Sequence, residues 1–134
     1  AQAESLAGEA HQHAVKTAGP RHPNTMAPAL QLALIRAHQG DAHAEAAALE
    51  TVAVERSIFP PGHIEISRGL TTLGRILILR GRSSQAIPLL REAHGIARKV
   101  FPKPNWRPAE SQLFLGAAVA MTGKSVEARV MLEE

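Results

Sequence analysis

Two arginines with two threonines between them could recognise a charged group. Arg68 and Arg75 are seven residues apart, which is two helical turns, so their guanidinium groups would point the same way with Thr71 and Thr72 between them. The planar fork of N–H donors on arginine suits carboxylates, either on side chains or at a free C-terminus. The alternative is that both arginines are solvated or pair within the chain with acids such as Glu110.

The other residue types that carry chemistry form no catalytic or metal-binding pattern. The seven histidines include no i, i+4 pair with a carboxylate, the spacing that a zinc-binding helix needs. No serine lies in a nucleophile-elbow context, no glycine-rich phosphate loop follows a strand, and the chain has no cysteine. We therefore expect no catalytic residue, no metal and no cofactor in this chain, while a catalytic domain elsewhere in the full-length protein stays possible.

The composition favours an all-α protein. The 134 residues are 45% hydrophobic but only 3% aromatic, and the β-branched residues never form long alternating runs. The formal charge of +3 is too mild to indicate nucleic-acid binding by itself. Because no apolar run approaches the length of a membrane span and the N-terminus carries no signal pattern, we expect no membrane partner and a cytoplasmic location.

Three kinds of marker recur along the chain at one nearly constant spacing. Glycine occurs at positions 40, 81 and 123, and His22, His63 and Asn105 each precede one of those glycines by the same interval. Phe59-Pro60 recurs at the corresponding place as Phe101-Pro102. The matched positions of the two histidines and the asparagine predict a capping or linker-packing role. A repeat of this length is typical of stacked helical units.

Each repeat reads as two amphipathic helices joined by a glycine turn. In the middle repeat one apolar stripe, beside which Gly74 would let a neighbouring helix approach closely, consists of Leu70, Leu73 and Leu77. Gly81 suits the left-handed position that ends a helix, and Ser84 is a suitable N-cap for the next, with Pro88 tolerated four residues later. The stripe expected on that second helix consists of Ala86, Leu90 and Ala93.

Seven helices are expected, one unpaired helix followed by three pairs. Their approximate ranges, with Thr25 as a candidate cap of the second helix, are residues 1–18, 25–39, 42–57, 65–79, 84–100, 107–122 and 125–134. The chain begins with Ala1 and ends inside the last of these helices. We therefore expect a single domain, residues 1–134, that is a fragment of a longer protein.

The repeat resembles the tetratricopeptide repeat, in the 42-residue form found in kinesin light chains and bacterial multidomain signalling proteins. The residues that carry the resemblance in the middle and last repeats are Leu70, Leu73, Gly74, Leu77, Gly81, Ala86, Leu90 and Ala93, then Leu115, Gly116, Val119, Gly123, Ala128 and Leu132. The first repeat matches less well, through Ala29, Leu32, Ala33 and Gly40, with Arg36 at a position where a large apolar side chain is usual. The resemblance implies a right-handed superhelical α-solenoid whose concave groove is lined by the first helix of each pair.

The resemblance also implies which side chains line that groove. The implied positions are Ala27, Leu30, Gln31, Leu34 and His38, then Arg68, Thr71, Thr72, Arg75 and Leu79, then Glu110, Leu113, Phe114, Ala117 and Met121. Those expected to bind a partner are Gln31, Arg68, Thr71, Thr72, Arg75, Glu110 and Phe114. Phe114 would be an exposed aromatic anchor, or would pack beneath a further repeat.

These observations favour a non-catalytic scaffold that binds a protein or a peptide, including an acidic one. The chain would then be the interaction region of a larger bacterial signalling or regulatory protein. The first alternative is a structural spacer or a self-association domain, because stacked repeats leave apolar faces at both ends. The second is nucleic-acid binding, which the absence of interleaved aromatic residues disfavours.

Overall fold

A computed structural model describes residues 2–101 and 106–121 of the chain. These residues form six α-helices and no strand. The helices are α1 (Gln2–Ala18), α2 (Pro23–His38), α3 (Ala44–Ile58), α4 (Ile64–Leu79), α5 (Ser83–Val100) and α6 (Trp106–Met121). The all-α prediction is confirmed for this part of the chain, whereas the expected seventh helix falls on residues outside it.

Each of the four turns that connect α1 to α5 contains a glycine. Gly19, Gly40, Gly62 and Gly81 all have positive φ, between 75° and 99°, a region that disfavours residues with a Cβ atom. The predicted left-handed conformation of Gly81 is therefore confirmed, and its counterpart Gly40 has the same geometry. Gly40 follows the C-cap of α2 and Gly81 follows the C-cap of α4, so the two glycines occupy corresponding positions.

The N-cap of α2 is His22, not Thr25. The imidazole Nδ1 of His22 accepts the backbone N–H of Asn24 at 3.1 Å. Thr25 is instead buried inside the first turn of the helix, where its hydroxyl donates to the carbonyl of Gly19 at 2.6 Å. The prediction from matched linker positions is thus confirmed for His22, and His63 caps α4 in the same way. Asn105 lies outside the described residues.

The start of α5 also differs from the expectation. The helix begins at Ser83 with Arg82 as its N-cap, so Ser84 is already inside the first turn. Pro88 is consequently six residues beyond the cap rather than four. At that depth it removes the helical bond to the carbonyl of Ser84, yet α5 continues to Val100. Packing of the inner stripe on α4 compensates for that loss.

The core is built by the two predicted stripes of the middle repeat. Leu70, Leu73 and Leu77 are buried, as are Ala86, Leu90 and Ala93, which confirms both stripes. A Cβ atom on Gly74 would lie 2.6 Å from the nearest side-chain atom of Leu90. The expected reason for glycine at position 74 is therefore confirmed, because only a residue without a side chain lets α5 approach α4 this closely.

Each helix packs against the next one along the chain, and α4 also contacts α2 and α6. Within the described residues, the backbones of α1 and α3, and of α3 and α5, make no such contact. Side chains join α3 to α5 instead: Arg56 forms a bidentate pair with Glu92 at 2.8 and 2.9 Å. Arg82 likewise reaches Glu45 at 2.8 Å. Because α4 contacts both α2 and α6, these three helices form one contiguous layer.

Arg36, the unusual residue of the first repeat, pairs with Glu4 of α1 at 3.3 Å.

In the described part of the chain, no helix is both long and apolar enough to span a bilayer.

Candidate functional site

A crevice between α2 and α4 gathers the predicted groove positions of these two helices. It has a volume of about 250 Å³ and is lined by Ala27, Leu30, Gln31, Leu34, Glu65, Arg68 and Thr72. All of these except Glu65 are positions that the sequence analysis assigned to the groove. Because α2 and α4 are adjacent in one layer, side chains that are far apart along the chain meet here. Gln31, Arg68 and Thr72 supply its polar atoms together with Glu65.

Arg68 is already engaged by a neighbour on its own helix. Its guanidinium donates to the Glu65 carboxylate at 3.0 Å, and half of the arginine side chain is exposed. Among the described side chains, its intramolecular partner is therefore Glu65, three residues earlier on the same helix. Such an exposed i, i+3 pair contributes only a few tenths of a kcal/mol, so an incoming carboxylate can compete for the guanidinium at little cost.

The two threonines do not both face the crevice. Thr71 is only 8% exposed, so the expectation that it lies on an open face beside the arginines is wrong. Its hydroxyl donates to the carbonyl of Ser67 at 2.9 Å, and Thr72 donates to that of Arg68 at 3.0 Å. Both hydroxyls satisfy carbonyls four residues earlier on α4. Position 71 points towards the core because it follows Leu70 on the edge of the buried stripe.

Arg75 is held by an aromatic ring on the next helix of the layer. Its guanidinium carbon lies 4.7 Å from the centroid of the Phe114 ring. Phe114 is half-buried and packs against the core, so it is both a packing residue and a platform for the cation. Among the side chains that the structure describes, no carboxylate pairs with Arg75. The side chain of Glu110 lies outside that set.

The open end of the crevice continues into a second hollow beside the starts of α2 and α4. This hollow measures about 410 Å³ and shares Ala27, Glu65 and Arg68 with the crevice. Its other lining residues are Pro23, Asn24 and Phe59. The His63 ring stacks on Phe59 with a centroid separation of 4.5 Å. The crevice and the hollow together form a shallow groove along α2 and α4.

Glu55 is a buried acid near this groove that sequence reasoning missed. Its side chain is fully buried on α3, and neither carboxylate oxygen has a hydrogen-bond partner among the described residues. A Cβ atom on Gly69 of α4 would overlap Oε1, so the carboxyl group rests against that glycine. Burial, and to a smaller extent the charge of Glu65, raises the pKa of Glu55 from 4.5 to about 8, and Arg68 opposes this. At neutral pH the group is therefore mostly protonated.

The signal for this buried acid is present in the sequence. Glu55 continues the i, i+4, i+7 series of Ala48 and Val52, both of which are buried, so it occupies an apolar stripe. Gly69 lacks the side chain that would otherwise fill the same space. An acid on an apolar stripe, opposite a glycine inside a neighbouring helix, is the sequence pattern that indicates this buried acid.

A larger cleft lies on another face of α2, between α1 and α3. Its volume is about 520 Å³ and its wall is mostly apolar, with Val15, Met26, Leu32 and Val54 among the lining residues. It contains none of the predicted partner-binding residues. Within the described residues, no three His, Asp or Glu side chains are grouped so as to hold a metal ion.

No protein-family model matches the chain, and no curated protein matches it.

Proposed function

We propose that this chain is a non-catalytic scaffold of tetratricopeptide type that binds an extended segment of a partner protein along the layer formed by α2, α4 and α6. The observation that carries the proposal is the α2–α4 crevice, in which Gln31, Arg68 and Thr72 meet around a shallow apolar floor. The crevice of about 250 Å³ continues into the hollow of about 410 Å³ as one shallow, open groove. Such an open groove suits an extended segment better than it suits a cofactor, which is usually enclosed by its site.

The chemistry of the groove favours an acidic segment. Arg68 is half exposed and pairs with one carboxylate, that of Glu65, while the guanidinium of Arg75 lies over the Phe114 ring. Stacking fixes a guanidinium without using its N–H donors, so these donors stay available for a carboxylate. Aliphatic side chains such as Leu30 and Leu34 would bury the apolar part of the same segment. On this reading the repeats continue as a right-handed solenoid, as part of a larger cytoplasmic signalling or regulatory protein.

Charge reversal on the groove tests this proposal. Arrays of short acidic, neutral and basic peptides identify a bound peptide, and fluorescence anisotropy gives its Kd for the wild type and for Arg68→Glu/Arg75→Glu. We expect at least about tenfold weaker binding of an acidic peptide, because charge-assisted hydrogen bonds are lost. The melting temperature should change little, since the exposed Arg68–Glu65 pair and the partly exposed contact of Arg75 with Phe114 each contribute about 1 kcal/mol or less.

A matched variant separates specific recognition from general electrostatics. Arg98 and Lys99 are exposed in the last turn of α5, away from the groove, so Arg98→Glu/Lys99→Glu makes the same change in net charge. Equal loss of binding in both variants would reduce the effect to general attraction. A large loss of stability with unchanged binding would mean that Arg68 and Arg75 hold the repeats together instead.

Self-association is the alternative that needs its own measurement. The last helix expected from the sequence, residues 125–134, would carry one of the two apolar end faces, and it lies outside the described part of the chain. Sedimentation across a range of protein concentrations distinguishes the two functions: a specific dimer that binds no peptide would favour a spacer or self-association role. Nucleic-acid binding is disfavoured further because Arg56 and Arg82 each pair with a glutamate of another helix. A linear dependence of oligonucleotide binding on salt would restore it.

A further inference from the structure

The two helices that wall the crevice begin with the same histidine cap. His22 precedes α2 and His63 precedes α4, and each Nδ1 atom accepts the backbone N–H two residues ahead, at 3.1 Å in both cases. The two caps also share an extended backbone, with φ, ψ of −85°, 145° and −69°, 141°. The chain thus builds one device twice, at corresponding positions of consecutive repeats.

Both caps lie at the open end of the proposed binding groove. The residues whose N–H groups they accept, Asn24 and Glu65, line the hollow of about 410 Å³. The His63 ring also stacks on Phe59, another residue of its wall. The shape of this end of the groove therefore depends on both imidazole rings remaining in place.

An imidazole can form this cap only while it is neutral. Nδ1 must present a lone pair, which requires the ring proton to be on Nε2, whereas both nitrogens of the imidazolium are donors. A positive charge at a helix N-terminus is also opposed by the helix dipole. Histidine is the side chain type whose charge changes between pH 5 and 8. Acidification removes both the acceptor and its favourable electrostatics.

The charged groups around the caps leave this effect in place. Arg21, beside His22, bonds to Ser57 of α3, and Arg68 engages the Glu65 carboxylate. Lys16, a basic residue, lies in the last turn of α1. On α3, Arg56 is paired with Glu92, and Glu55 gains and loses its proton at higher pH, with a pKa of about 8.

We propose that protonation of the two imidazole rings releases the His22 and His63 caps together, loosens the starts of α2 and α4, and so weakens binding in the groove on acidification. The effect on binding depends on the function proposed above. The release of the caps does not depend on that function, and hydrogen exchange measures it separately.

The test follows the amide protons that the caps hold. Hydrogen exchange by NMR on the full chain gives protection factors for the Asn24 and Glu65 amides between pH 5.5 and 7.5, corrected for intrinsic exchange. In the wild type we expect both factors to fall by about five- to tenfold towards acid, the size of a lost cap. The anisotropy Kd of the tightest peptide from the arrays should weaken by about the same factor.

Non-titrating caps should abolish the response. Asparagine is a strong N-cap, and the sequence itself carries Asn105 at the third linker position. His22→Asn/His63→Asn should therefore keep protection and peptide affinity constant across the pH range. The matched control His11→Asn/His13→Asn changes two histidines inside α1, away from both caps and from the groove positions, and it should respond as the wild type does.

Two results would overturn the proposal. One is a wild-type fall in protection that persists in His22→Asn/His63→Asn. The other needs only the wild type: ring nitrogen shifts that report protonation of His22 and His63 while both amides keep their protection. If the amides respond as expected but no peptide binds at any pH, the release of the caps is supported and the proposed binding function is wrong.

Discussion

At the scale of single residues, Glu55 makes the stability of the folded chain depend on pH. The folded chain holds this carboxyl group against Gly69 with a pKa of about 8, whereas its ordinary value is 4.5. Between these two values the folded state keeps a proton that the unfolded state has released. Stability therefore falls as pH rises through this interval, by up to about 1.4 kcal/mol per pH unit. The packed α3–α4 interface is strongest when the acid is neutral.

Replacing Glu55 with glutamine should remove that dependence. Glu55→Gln keeps the volume and cannot ionise, so urea unfolding should show a smaller loss of stability between pH 5 and pH 8 than in the wild type. The variant should gain most at pH 8, where the wild type is half ionised. Glu50→Gln, an exposed position on the same helix, is the matched control and should preserve the wild-type slope. An unchanged slope in Glu55→Gln would mean that the carboxyl group is solvated.

At the scale of helices, two glycines of the same middle repeat have opposite requirements. A Cβ atom on Gly74 would collide with Leu90, which is fully buried and cannot move aside freely. Among the described residues, a Cβ atom on Gly95 of α5 would meet nothing within 4 Å. One glycine is required by helix packing and the other only lowers helix propensity.

Alanine substitutions should separate these two cases. Gly74→Ala should destabilise the protein by about 1 to 3 kcal/mol through overpacking between α4 and α5. Gly95→Ala should stabilise it by about 0.5 to 1 kcal/mol, because it reduces the freedom of the unfolded chain and favours the helix. Thermal unfolding of the two variants gives the comparison. A neutral Gly74→Ala would show that α5 can shift outwards without loss.

The helices themselves were largely predictable from the sequence, but several of their ends were not. The stripe of Leu70, Leu73 and Leu77 and the left-handed Gly81 follow directly from helical period and from the missing Cβ. The sequence offered two candidates for the cap of α2: threonine is the commoner capping residue, but His22, three positions before Thr25, lies at the helix boundary and supplies the acceptor. The start of α5 was missed for a similar reason, since Ser84 has the better capping side chain but Arg82 is the residue at the boundary.

At the scale of the whole molecule, period and composition predicted the all-α class, while the groove required the structure. Sequence placed Gln31, Arg68 and Thr72 on helix faces, and only the packing of α2 on α4 brings them into one crevice. The burial of Thr71 and the stacking of Arg75 on Phe114 depend on small rotations of α4 and on its contact with α6. The spacing of the repeats along the chain does not specify rotations of that size.

The packing of each helix on its immediate neighbours also determines how this chain reaches its native state. Most stabilising contacts join segments that are close in sequence, so little loop entropy is lost before they form, and folding should be fast. The α4–α5 hairpin, where Leu70 and Leu90 are fully buried, is the natural nucleus. In stopped-flow experiments Leu90→Ala should slow folding markedly, whereas Ala7→Gly on α1 should chiefly accelerate unfolding. The N-terminal helix would then join a structure that already exists, and it would be the first to leave it.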